Sequence, residues 1–216
     1  MSSYYRAPKF VHPATCLVSG VSGSGKTVFV QKCLKHLSHV FDPVPERVVV
    51  FYGAWQPAYD SINEDRRVEF YEGIRGDVTF DPKVKSLLII DDLQLEARGE
   101  VAKYFTKFAH HKSVSVFYLV QNLFHKSPEH RAVSLNSNYM CLFSNPRDKS
   151  QIMSLAKQIY PTRPRALQQA FQDATREPHG YLILDLKATT PEELRMRTNI
   201  FPGEILTVYQ AKNGGI

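Results

Sequence analysis

The chain has 216 residues, 43% hydrophobic and 22% charged, which excludes a disordered protein and leaves room for one well-buried α/β domain. Its 27 Lys and Arg against 21 Asp and Glu give a net charge of +6, permitting a polyanionic partner without specifying one. No apolar run is long enough to span a bilayer, so no membrane insertion is expected, and three scattered cysteines (Cys16, Cys33, Cys141) suit a reducing compartment.

Residues 1–13, with Arg6 and Lys9, read as a short basic arm ending in His12-Pro13. An apolar strand over 15–18 then leads into Gly20-Val-Ser-Gly-Ser-Gly-Lys-Thr27, a full match to the phosphate-loop pattern G-x-x-x-x-G-K-[ST]. Gly20, Gly23 and Gly25 let the backbone turn tightly and aim its N–H groups at phosphate oxygens. Ser22, Ser24 and Val28 complete the nucleotide-binding stretch, with ATP as the expected ligand. Lys26 can reach the β- and γ-phosphates, and the Thr27 hydroxyl can ligate Mg²⁺. Apolar positions Val30, Cys33, Leu34 and Leu37 recur at helical spacing, so a helix N-terminus should face the same anion.

Two prolines within Phe41–Pro45 stop that helix, and 47–52 follows as a continuous apolar strand. Further strands are expected at 68–71, 86–91, 114–120 and 138–143, with helices over 99–111, 149–159 and 164–175. Two late strands, 180–185 and 204–209, are expected to pair across a proline-rich connection. The alternation predicts one P-loop domain over 14–210, a mostly parallel sheet flanked by helices, followed by a tail at 211–216.

Four apolar residues before Asp91 place that acid at a strand end beside the phosphate loop, as a second Mg²⁺ ligand. Asp92 could orient or deprotonate a water, although adjacent strand residues face opposite ways. Gln121 ends the next strand, in reach of a γ-phosphate. Arg131 and Arg147 are alternatives for an arginine that neutralises charge in a neighbouring subunit's site. Trp55 and Tyr59 read either as a base-stacking platform or as core aromatics. Arg66, Arg67, Lys103, Lys107 and Lys112 read either as DNA-facing or as a solvated face.

With these pieces in order, the chain resembles the genome-packaging ATPases of the HerA–FtsK superfamily. Within them it is most similar to those of double-jelly-roll DNA viruses and Polinton/Maverick or adintovirus-like elements, relatives of the poxvirus packaging ATPase. The likeness rests on the phosphate loop, Phe51-Tyr-Gly-Ala-Trp-Gln-Pro-Ala-Tyr59, Leu88-Ile-Ile-Asp-Asp-Leu93 and Tyr118-Leu-Val-Gln-Asn122. It continues through Arg131-Ala-Val-Ser-Leu-Asn136, Tyr139-Met-Cys-Leu-Phe143 and Asn145-Pro-Arg-Asp148. The resemblance implies a RecA-like core with an additional strand between the phosphate-loop strand and the Asp91 strand. It further implies a homo-oligomeric ring, a pentamer or hexamer, that drives double-stranded DNA into a preformed capsid through capsid or portal-vertex partners. Carried over by motif, Lys26, Asp92, Gln121 and Arg131 are the catalytic set, and Thr27 and Asp91 hold Mg²⁺. Such a protein is expected in the host nucleus or cytoplasm, or with the virion. A small nucleoside or nucleotide kinase is the rival, with Arg163 and Arg165 as its nearest approach to a lid. A non-catalytic ATP-dependent switch is the third alternative.

Overall fold

The computed structural model describes residues 8–62, 65–93, 99–123, 128–146 and 150–211. Arg6, Arg147, Asp148 and the tail beyond 211 lie outside the described residues.

In chain order the elements are β1 (Phe10–Val11), β2 (Thr15–Ser19), α1 (Lys26–Lys35), α2 (Leu37–Val40), β3 (Phe41–Asp42), β4 (Arg47–Tyr52) and β5 (Val68–Glu72). There follow β6 (Ser86–Asp91), α3 (Glu100–Lys103), α4 (Ala109–His111), β7 (Val114–Val120), α5 (Pro128–Leu135) and β8 (Tyr139–Phe143). The chain continues through α6 (Ser150–Ile159), α7 (Pro164–Ala174), β9 (Tyr181–Asp185), β10 (Met196–Thr198) and β11 (Thr207–Tyr209). A π-helical turn, Tyr104–Phe108, joins α3 to α4, so the helix expected at 99–111 is locally underwound.

The main sheet has the order β11-β10-β9-β8-β2-β7-β6-β4-β5. Its middle and one flank are parallel: β2 pairs with β7 and β8, β6 with β7 and β4, and β4 with β5. Three antiparallel pairings, β8–β9, β9–β10 and β10–β11, complete the other flank, so the sheet is more mixed than the sequence indicated. β9 and β11 do not pair with each other. The unexpected β10 lies between them, a three-residue strand whose central Arg197 is 1% exposed and ion-paired with Asp185 at 3.2 Å. A charged residue at its centre hides a strand this short from an apolar-pattern search.

Strand alternation sorts the core into two layers. Cys16, Val18, Leu87, Ile89, Phe117 and Leu119 face α1 and α2, packing on Phe29, Val30, Cys33 and Leu34. Leu17, Leu88, Ile90, Val116 and Tyr118 face the other way, against the helical run from α3 and against α5, α6 and α7. Phe10 belongs to the α1 layer, so the segment expected as a free arm joins the domain by residue 10, where β1 pairs with β3. All three cysteines are free and buried. Among the described residues, no helix is long and apolar enough to cross a membrane.

β7 lies between β2 and β6, the additional-strand arrangement implied by the resemblance. From β7 the chain crosses β2 to reach β8. The sheet therefore reverses its winding at β2, and a crevice opens beyond the carboxyl ends of the central strands.

Candidate functional site

β2 ends at Ser19, and the next residues form the phosphate loop leading into α1. Gly25 caps that helix at φ 106, a left-handed conformation open to glycine at little cost, and its N-terminus has no side-chain capping hydrogen bond among the described residues. The first turn carries no acid either, so the helix end is left for an anion.

Ser22, Gly23, Gly25, Lys26, Thr27 and Val28 line a cavity of about 250 Å³. Gly20 and Ser24, expected in the same set, are placed differently. Gly20 borders a separate cavity behind the loop with Phe143, Phe171 and Gln172, and the Ser24 hydroxyl is buried without a hydrogen-bond partner. Lys26 Nζ donates to the Gly20 carbonyl at 2.6 Å and the Val21 carbonyl at 3.1 Å. Burial lowers the Lys26 pKa, while the nearby Asp91 and Asp92 carboxylates oppose that shift.

Asp91 shares strand parity with Leu87 and Ile89, so its side chain emerges on the α1 face beside Thr27. Its Oδ2 accepts from Thr27 Oγ1 at 3.2 Å, from Tyr59 Oη at 2.5 Å and from Gln56 Nε2 at 3.3 Å. Burial raises the Asp91 pKa, partly offset by the Tyr59 and Thr27 hydroxyls and the Lys26 charge. A buried carboxylate of that kind favours an added cation, and an Asp oxygen beside a Thr hydroxyl is the hard-oxygen pair that Mg²⁺ takes alongside substrate phosphates. The residues present therefore fit Mg²⁺.

Strict alternation would send Asp92 to the far face. Its backbone instead takes φ 56, which breaks the alternation and lets both acids line one cavity. Gln121, on the parity of Phe117 and Leu119, reaches the same cavity, where its Nε2 donates to Asp92 Oδ1 at 3.1 Å. Arg131 is exposed on α5 and does not line this cavity.

Two contributors were not expected at the phosphate site. One is the Gln56–Tyr59 segment. Tyr59 is a core aromatic whose hydroxyl reaches the site, packed among Tyr52, Trp55 and Phe70, whereas Trp55 stays 43% exposed with Nε1 donating to Asp60 at 2.9 Å. Tyr59→Phe is expected to remove one hydrogen bond to a buried carboxylate, costing about 2 kcal/mol. That corresponds to a melting midpoint lowered by about 6 °C, readable by calorimetry. An unchanged midpoint would mean that the bond carries no net stabilisation. The other contributor is His179, which comes from the α7–β9 connection and lines the same cavity as Asp92 and Gln121, with only the His-Gly step before an apolar run as a signal.

The site thus defines an α/β protein with a helix-flanked, mostly parallel sheet and a phosphate loop at the sheet's switch point. Among solved structures it is similar to the genome packaging NTPase B204 from Sulfolobus turreted icosahedral virus 2, in complex with ATP-gammaS. That match has 12% identity and a TM-score of 0.44, covering 94% of this chain and 97% of that one. It is also similar to the Legionella pneumophila ATPase DotB, at 13% identity and a TM-score of 0.33, covering 80% of this chain and 54% of DotB. No protein-family model matches the chain, and no curated protein does.

Proposed function

We propose that the protein is an ATP-hydrolysing motor that moves double-stranded DNA into a preformed capsid as a homo-oligomeric ring, through capsid or portal-vertex partners. The observation that carries the hydrolytic part is the convergence of Lys26, the Thr27–Asp91 pair and the Asp92–Gln121 pair on one open cavity. Lys26 exchanges its loop carbonyls for the β- and γ-phosphate oxygens of ATP. Thr27 and Asp91 would hold Mg²⁺, with Gln56 and Tyr59 fixing the carboxylate from behind. When bound, the ion neutralises charge on the phosphates. Asp92 accepts a proton from the attacking water, and the Gln121 amide aligns that water with the γ-phosphate. Arg131, on an exposed helix face, serves the site of the next subunit.

A kinase would need mobile basic groups closing over the donor phosphates. Arg163 and Arg165 instead border a different cleft, with Tyr209 and Gln210. Arg66, Arg67, Lys103, Lys107 and Lys112 are all exposed, which fits a DNA-facing surface and a solvated face alike, and Arg67 and Lys103 are engaged by Asp65 and Glu100.

The deciding experiment is steady-state ATP hydrolysis across protein concentration, with and without long double-stranded DNA. Turnover should rise more than linearly with protein and again, several-fold, with DNA. Turnover strictly proportional to protein and indifferent to DNA would overturn the motor and leave a simple nucleotide hydrolase or a kinase.

A further inference from the structure

His179 stands in the phosphate-loop cavity but belongs to no phosphate-binding motif. It follows α7, in the turn that returns the chain to the sheet at β9. The turn is tightly built: the Gly180 N–H donates to the Glu177 carbonyl at 3.0 Å, and a side chain at Gly180 would meet the Ala174 carbonyl oxygen at 2.4 Å. Within it His179 takes φ 63, a left-handed conformation that is unfavourable for most side chains. A non-glycine residue held there asks what the side chain gains.

The ring lies against the loop. A methyl group added at Gly25 would sit 3.0 Å from both Nδ1 and Cβ of His179, so the imidazole closes over the residue that caps α1. The side chain is exposed, and neither ring nitrogen has a hydrogen-bond partner among the described residues. His12 contrasts with it: both ring nitrogens of that buried histidine are engaged, by Ser115 and Ser113 hydroxyls. His179 thus combines a fixed backbone, an open donor and a place beside the uncapped N–H groups of a helix.

Resting on the phosphate-loop reading, we infer that His179 is a nucleotide-binding residue that donates a ring N–H to the α- or β-phosphate of the bound nucleotide. The loop's backbone N–H groups cradle those same two phosphates, whereas Lys26 reaches on to the γ-phosphate. The imidazole therefore closes the side of the cradle that faces β9, the side opposite the Asp92–Gln121 pair. Its contribution is present for diphosphate and triphosphate alike.

The test is calorimetric titration of the full chain with ADP and with ATP-gammaS, each with Mg²⁺, for the wild type, Lys26→Ala, His179→Gly and His179→Asn. Glycine accepts the left-handed backbone freely, so His179→Gly should melt no lower than the wild type while losing the ring. Its affinity should fall about ten-fold for both nucleotides, the size of one hydrogen bond to a charged oxygen. Asparagine tolerates the same backbone and keeps an N–H donor, so His179→Asn should recover part of the loss. Wild type binding both nucleotides, with His179→Gly within two-fold of it, overturns the role of His179 and leaves the phosphate loop intact. A loss confined to ATP-gammaS overturns it too, because the contact would then be to the γ-phosphate. Wild type binding neither nucleotide, like Lys26→Ala, would overturn the phosphate-loop reading itself.

Discussion

Lys26→Ala is expected to abolish nucleotide turnover, by about a thousand-fold, while leaving the fold intact. The amine is held by two carbonyls of its own loop, Gly20 and Val21, and contributes nothing to either hydrophobic layer. Its removal frees backbone oxygens at the edge of an open cavity, where water can take its place. A thermal midpoint within about 2 °C of the wild type should follow. The catalytic cost is far larger. A preorganised cation aimed at the transferred phosphoryl acts where charge is redistributed, and losing one such donor costs about 10²–10³ in rate. Ground-state affinity for ATP-gammaS should fall as well, since the amine contacts the phosphates before reaction. Phosphate-release kinetics at saturating nucleotide would check the first effect and calorimetric titration the second. Residual turnover above about a tenth of wild type would mean that the phosphates are held without Lys26, and the site assignment would fail with it.

Much of this site could be read in the sequence because its chemistry is local. The phosphate loop is eight consecutive residues, and Asp91 is marked by the apolar strand before it. The parallel strands β2, β4, β6 and β7 were legible for the same reason: burial on both faces gives unbroken apolar runs. What stayed hidden depends on long-range packing or on single backbone angles. Nothing in Asp91-Asp92 announces that the second acid adopts φ 56 and joins the first, where alternation would separate them. Tyr59 looks like any core aromatic until the packing of Trp55, Tyr52 and Phe70 points its hydroxyl at Asp91. β10 was missed because its central arginine is neutralised by Asp185, 12 residues earlier in the chain. His179 reaches the loop only because β9 runs antiparallel to β8, which returns the start of β9 to the carboxyl end of the sheet.

Arg131→Ala should lower DNA-stimulated turnover by about a thousand-fold, the scale of an arginine finger, while leaving ATP-gammaS affinity within about two-fold. The contrast with Lys26 follows from position. Arg131 is exposed on α5, against the layer opposite α1, and forms no ion pair or hydrogen bond among the described residues. A guanidinium there touches no phosphate of its own subunit's cavity, so any role in the chemistry must be played across a subunit boundary. Mixing makes this measurable. In a ring assembled from equal amounts of the two inactive variants, an Arg131→Ala subunit has an intact phosphate loop, and a Lys26→Ala neighbour can lend it an arginine. With random assembly and independent sites, about a quarter of the interfaces combine an intact loop with an intact arginine, so turnover should recover to about a quarter of wild type. Any recovery requires the arginine to act in trans. A mixture as inactive as its parts, from rings shown by co-purification through a tag on one variant to contain both, would remove Arg131 from the site.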